Sequence, residues 1–147
     1  MPSFRDELFF LSNMYPCPFS VGSVIYNSSE HFFQSCLALP EHVDTILAAP
    51  HGWAAKRIAR TLPRRADYKK IQIDMMAQAL YFKFSAHGDL RIQLMNTPDE
   101  QLYEFNEWHD NYWGHCTCTK CKDKPHLNNL GKLLKITKDY FLALNLN

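Results

Sequence analysis

Glycine is scarce in this sequence, five residues among 147. Nucleotide-binding βαβ folds carry a Gly-rich phosphate turn after a strand, and these glycines supply none. No strand–helix alternation is visible either, so a Rossmann fold is excluded. Long apolar runs are also missing. No stretch approaches the roughly eighteen residues of a membrane span. Met1–Asp6 is polar, and the Leu8–Leu11 run is too short for a secretion signal. Charge of one sign is absent: 16 Lys and Arg against 15 Asp and Glu leave +1. That removes any bulk electrostatic pull towards nucleic acid or a membrane surface. The five cysteines are odd in number and three crowd into Cys116–Cys121. Without an export signal these thiols are expected to be reduced and the protein cytoplasmic. Repeats and low-complexity tracts are lacking.

What is present is the composition of one globular domain spanning residues 1–147. Apolar residues make 46% and charged residues 21%, enough for a proper core. The elements predicted are mostly helical. Phe4–Phe19, broken by Asn13, Pro16 and Pro18, reads as extended and turning. Phe19–Val21 and Val24–Tyr26 flank Gly22-Ser23 and read as a hairpin. Ser28-Ser29 caps a helix over Glu30–Leu39, and Pro40 both stops it and opens a second to about Ala49. Trp53–Leu62 is a third. The longest, Asp67–His87, turns Ile71, Met75, Ala79 and Phe82 inward, with Met76, Leu80 and Phe84 beside them. Gly88 reads as its C-cap and Asp89 as the cap of a short helix to Met95. Gln101–Phe105 suggests a strand, Trp108–Leu127 a polar loop, and Asn129–Leu144 a closing helix with Leu130, Leu133, Leu134, Thr137 and Phe141 inward. The fold class is therefore mainly α, an α-rich α+β domain.

Several residues could carry chemistry. Glu30 opens a helix among aromatic rings. It is either a first-turn carboxylate favoured by the helix dipole, or a desolvated acid with a raised pKa. Asp110 lies in Trp108-His109-Asp110-Asn111-Tyr112-Trp113-Gly114. It caps a turn, or it serves a pocket whose rings stack on a flat heterocycle. Cys116, Cys118 and Cys121, with His115 before them and His126 after, offer soft ligands for a structural zinc, or are incidental thiols. Lys56, Arg57, Arg60, Arg64 and Arg65 form the one basic cluster, a solvated face or a phosphate clamp. Asn128-Asn129-Leu130-Gly131 is a helix start whose amides could meet an anion.

Six blocks in order resemble the NADAR (YbiA-like) family: Phe10-Leu11-Ser12-Asn13-Met14-Tyr15-Pro16, Ser28-Ser29-Glu30-His31-Phe32-Phe33-Gln34, Ala55-Lys56-Arg57-Ile58-Ala59-Arg60, Arg65-Ala66-Asp67-Tyr68, Asp110-Asn111-Tyr112-Trp113-Gly114 and Asn129-Leu130-Gly131-Lys132-Leu133-Leu134. The resemblance implies a compact, mainly helical fold and an N-glycosidase activity. In that family the bond cleaved joins a ribose phosphate to an aminopyrimidine in early riboflavin intermediates, or ADP-ribose to a guanine base. It implies Glu30 and Asp110 as the catalytic pair, with Asn13, Lys56, Arg60, Tyr68, Trp113 and Asn129 binding substrate. Tyr68 stands where better-known relatives carry Trp, and the cysteine-bearing insertion after Gly114 is not general in the family. No redox cofactor is needed for such a hydrolysis, and no membrane is involved. The alternative is a non-catalytic module that binds NAD or ADP-ribose derivatives.

Overall fold

The computed structural model describes residues 4–145. The chain divides into two compact units, Asn13–Gly88 and the pair of segments Met1–Ser12 and Asp89–Asn147. The first unit starts with the expected hairpin. β1 (Phe19–Val21) pairs antiparallel with β2 (Val24–Tyr26) in the register Phe19↔Tyr26, Val21↔Val24. Gly22, at φ +60, supplies the positive dihedral that a two-residue hairpin turn needs.

Helix α1 (Ser29–Leu37) follows, with Ser28 as its N-cap accepting from the His31 N–H. It ends two residues before the predicted Leu39. Ala38 turns to extended backbone and bridges to Arg64, and Arg65 N–H donates to Leu37 O at 2.9 Å. Helix α1 is buried nearly all round, from Ser29 to Ser35. It packs on α2 (Val43–Leu47), α3 (Gly52–Arg60) and α4 (Tyr68–Ala86). Pro40 opens a short 3-10 turn, Pro40–His42, ahead of α2, not one continuous helix. One apolar cluster joins Ile46, Ala49, Ala55 and Ala59 with Ala38. A second joins Phe19, Phe32 and Ala79, with the Phe32 ring 5.0 Å from Tyr26 and 5.5 Å from Phe82. Each buried Phe contributes roughly 1.5–3 kcal/mol of transfer free energy.

Helix α4 buries Met76, Ala79, Leu80, Lys83 and Phe84, whereas Ile71, Met75 and Phe82 are only half-buried. Lys83 is the surprise, because a lysine in a sequence reads as solvated. Its Nζ lies 5.1 Å from the Phe84 ring centroid and 5.7 Å from that of Tyr15, where the ring faces favour a cation. Burial pulls its pKa down from 10.5 to about 8, with Cys17 opposing. The unfolded chain keeps this proton up to its ordinary value, whereas the folded chain releases it near 8. Stability is therefore expected to rise with pH between about 8 and 10.5, by on the order of 3 kcal/mol. Urea titrations across that window check this. Lys83→Met should flatten the slope, and an unchanged slope would contradict the assignment.

Gly88 does not cap α4. His87 does so in extended backbone, its Nε2 2.7 Å from Pro18 O, and Gly88 opens α5 (Gly88–Met95). In the second unit the expected extended start is a 3-10 turn, Asp6–Leu11, with Phe10 and Leu11 buried. The expected strand at 101–105 is a 3-10 turn, Asp99–Gln101, followed by β3 (Phe105–Asn106). β3 pairs in parallel with β4 (His115–Cys116), which lies inside the segment read as loop. A 3-10 turn, Thr119–Cys121, follows, and α6 (Asn129–Asn145) closes the unit with all five expected inward residues buried. Among the described residues no helix is long and apolar enough to cross a membrane.

Candidate active site

In the first unit the polar start of α1 is assembled by Asn13. The Asn13 backbone oxygen accepts from Glu30 N–H at 3.1 Å, and its side-chain Oδ1 accepts from Ser29 Oγ at 2.8 Å. Its Nδ2 points to Met76 Sδ at 3.1 Å. Asn13 is 6% exposed and its amide is spent inside the protein. Its use in this structure is to hold the backbone of Glu30, where the resemblance implied contact with substrate. The His31 ring is pinned between Ser28 Oγ at 2.7 Å and Ala49 O at 2.9 Å, which locks α1 to the end of α2.

Glu30 is 5% exposed. Gln34, one turn on, donates from Nε2 to Glu30 Oε1 at 2.8 Å. Burial raises the carboxyl pKa above the usual value. The Gln34 hydrogen bond pulls it back, and so do the charge of Lys56 and, more weakly, His31 and Arg60. These cations reach Glu30 because α3 starts against it. A Cβ on Gly52 would come within 2.9 Å of Met14 Sδ and 3.3 Å of Glu30 Cβ, so a side chain there would displace Met14 and crowd Glu30. Of the two readings of Glu30, the desolvated acid is the one the geometry supports.

The basic cluster separates into members with different tasks. Arg65 forks onto Asp67, with Nε and Nη2 at 3.0 and 2.9 Å from its carboxylate oxygens. Arg64 lies 5.2 Å from the Tyr68 ring centroid, and Lys69 5.9 Å from it. Lys56 is half-buried and Arg60 exposed on α3. Trp53 stands three residues before Lys56 and seven before Arg60, so the three share a helix face. It is 52% exposed. Sequence reading passed over Trp53 and Gln34. Helical spacing from Lys56 and from Glu30 would have found both.

In the second unit Asp110 is half-buried in a tight turn. Its Oδ1 accepts from Tyr112 N–H at 3.1 Å and Trp113 N–H at 2.9 Å. Its backbone is held by Asn106, which donates to Asp110 O at 2.8 Å and accepts from Asp110 N–H at 3.2 Å. One carboxylate oxygen thus caps the turn. The Trp113 ring, half-buried, meets Tyr112 edge-on at 4.9 Å. The amides at the start of α6 do not await an anion. Asn129 N–H donates to Tyr112 O at 3.1 Å and Leu130 N–H to Trp113 O at 3.0 Å. Asn129 itself is half-buried. Asn128, at φ +49, ties the same helix start to Leu102 O and Glu104 N–H through its side chain.

The three cysteines of this unit come together, but the histidine beside them is His109. Its Nδ1 and the Cys116, Cys118 and Cys121 sulfurs all lie within 4.8 Å of one another. His126 instead stacks on His115, centroids 3.5 Å apart and planes 5° from parallel. Of the four residues expected together, the three cysteines cluster and His126 does not join them. His109 sits before the cysteines, where a search for a histidine following CxCxxC does not look.

A sequence model of the NADAR domain matches residues 3–141. The chain belongs to the NADAR family. It is 32% identical over 135 residues to the N-glycosidase YbiA of Escherichia coli strain K12, covering 90% of this chain and 81% of that protein. An N-glycosidase of Nostoc punctiforme is 29% identical over 134 residues, covering 87% and 82%. A riboflavin biosynthesis protein of Vibrio vulnificus is 30% identical over 136 residues, which are 88% of this chain but 35% of that longer protein. The NMR structure of Escherichia coli YbiA superposes with a TM-score of 0.83 at 29% identity, covering all of this chain and 86% of that one. The mainly helical expectation thus holds. By family the chain is an enzyme, a hydrolase of N-glycosyl bonds.

Proposed function

We propose that this NADAR enzyme hydrolyses the N-ribosidic bond of a phosphate-bearing, nucleotide-like substrate, and that Glu30 handles the proton. The observation that carries the reading is a buried carboxyl, 5% exposed and held by Gln34, with the charges of Lys56 and Arg60 acting on it. Breaking the C1′–N bond leaves an electron pair on the base nitrogen and an oxocarbenium-like sugar. A protonated Glu30 gives its proton to that nitrogen. The resulting carboxylate then takes a proton from the water that bonds to C1′, and the acid is restored. Burial favours the protonated starting form, and the nearby cations restrain it. A substrate phosphate neutralising Lys56 and Arg60 relieves that restraint, so a phosphorylated substrate arms its own acid. Gln34 Oε1, buried and without a hydrogen-bond partner among the described residues, offers a ligand N–H or O–H an acceptor beside the carboxyl. Tyr68, in the same unit as Glu30, offers a ring on which the base can stack.

Ribosylamino-pyrimidine phosphates are the first substrates to try, since one relative is named for riboflavin biosynthesis. ADP-ribosyl guanine is the second. Release of ribose phosphate from the former, or of ADP-ribose from the latter, supports the reading and separates the two. Intact ligand recovered from a tight complex would instead favour a binding module. Lys56→Ala with Arg60→Ala is expected to raise KM by about a hundredfold or more, the loss of roughly 1.5–3 kcal/mol for each of two charge-assisted contacts. An unchanged KM for the phosphorylated substrate would remove the clamp.

A further inference from the structure

We propose that His109, Cys116, Cys118 and Cys121 form a closed structural site for a thiophilic divalent cation, zinc by preference, and that this site fixes the turn carrying Asp110. The His109 Nδ1 atom lies 3.3 Å from Cys121 Sγ, 3.4 Å from Cys118 Sγ and 4.0 Å from Cys116 Sγ. Hydrogen bonding does not account for three sulfurs around one ring nitrogen, because that nitrogen has one site to share. A tetrahedral zinc with Zn–S near 2.3 Å and Zn–N near 2.0–2.1 Å separates N and S by about 3.5 Å, in the middle of the observed spread. Cys116 and Cys121 are buried, at 1% and 3% exposure, as thiolate ligands of a closed site are.

The backbone serves the same arrangement. His109 adopts φ +68, a left-handed conformation unusual for a residue with a Cβ, and costing about 1 kcal/mol. Cys116 is fixed by β4 and by its N–H donating to Asn111 Oδ1 at 2.9 Å. Cys118 and Cys121 are clasped by the 3-10 turn, Cys121 N–H to Cys118 O at 3.1 Å. Three separate devices thus bring four ligand atoms to one point. His109 adjoins Asp110, so a cation here ties that turn to β4 and to the 3-10 turn together.

The test uses the full chain, reduced and purified without chelator. Elemental analysis is expected to find about one zinc per chain. Cobalt(II) added to the metal-stripped protein should give the visible bands of a tetrahedral thiolate site, which zinc then abolishes. The three thiols should resist a thiol reagent until chelator is present. His109→Ala should weaken zinc binding by tenfold or more, and His126→Ala should leave it unchanged. The wild-type cobalt titration needs no variant to fold. Absence of these bands with three reactive thiols, or a disulfide among the three, overturns the site. Equal losses in the two histidine variants overturn the ligand set. None of these readouts uses substrate, so the result stands apart from the glycosidase reading.

Discussion

Glu30→Gln is expected to lower turnover by about 10²–10⁴-fold, the usual worth of a positioned proton donor, while making the folded chain more stable at neutral pH. The two effects have one cause. Burial, the largest influence on this carboxyl, disfavours its charged form. The folded protein therefore holds the proton more tightly than the unfolded chain does. Unfolding in this window releases a proton, so stability falls as pH rises from the ordinary carboxyl range through the raised folded value. It stays low above that value. An amide carries no such penalty, and its oxygen still accepts the Gln34 N–H that now reaches Glu30 Oε1 at 2.8 Å. The variant should melt higher than wild type at pH 7, by roughly 2–4 °C for each kcal/mol in a chain of this size. The gap should close as pH is lowered. Retained turnover would remove Glu30 from the chemistry. A wild type and variant with parallel stability profiles would show that the carboxyl is not the desolvated acid described. A double-mutant cycle with Asp110→Asn, which keeps the acceptor for Tyr112 and Trp113 N–H, measures whether both carboxylates serve one reaction.

Gly114→Ala is expected to destabilise the chain by about 3 kcal/mol or more, although it adds a single methyl group. That Cβ would overlap the Glu104 backbone oxygen and come within 2.8 Å of Asn106 Nδ2. Neither neighbour is free to give way. Glu104 O accepts from His115 N–H at 2.9 Å, and Asn106 Nδ2 donates to Asp110 O at 2.8 Å. The methyl group therefore meets the β3–β4 pairing and the Asp110 turn at once. Gly22→Ala is the control. Its φ of +60 is strained for alanine, yet nothing lies within 4 Å of the new Cβ. It should cost about 1 kcal/mol. Urea unfolding of the three proteins orders them. A Gly114→Ala midpoint no lower than that of Gly22→Ala would mean that the close approach is not what requires glycine.

Local signals carried the elements whose causes are local. The hairpin followed from Gly22-Ser23 between β-prone triplets, and α6 from its repeating apolar positions, every one of which is buried. The signals failed where distant residues decide. Gly88 looks like a cap, but the His87 ring bonding to Pro18 O fixes how α4 ends. The segment after Trp113 looks like loop, but its strand exists only by pairing with β3. His126 looks like the fourth ligand by spacing, but its ring stacks on His115.

The sequence by itself determined the helical class and the family, and it singled out the two carboxylates and three thiols on which the proposals rest. Composition, periodicity and ordered motifs hold that information without reference to partners. Tertiary structure alone decided the condition of those groups. Helices packed around α1 bury Glu30 and push its pKa up, and the charges of Lys56 and Arg60 on α3 pull it partly back. Asn13 became a clasp and His109 a neighbour of three sulfurs for the same reason. Solvation and distance belong to the folded arrangement of atoms, and no linear spacing encodes them.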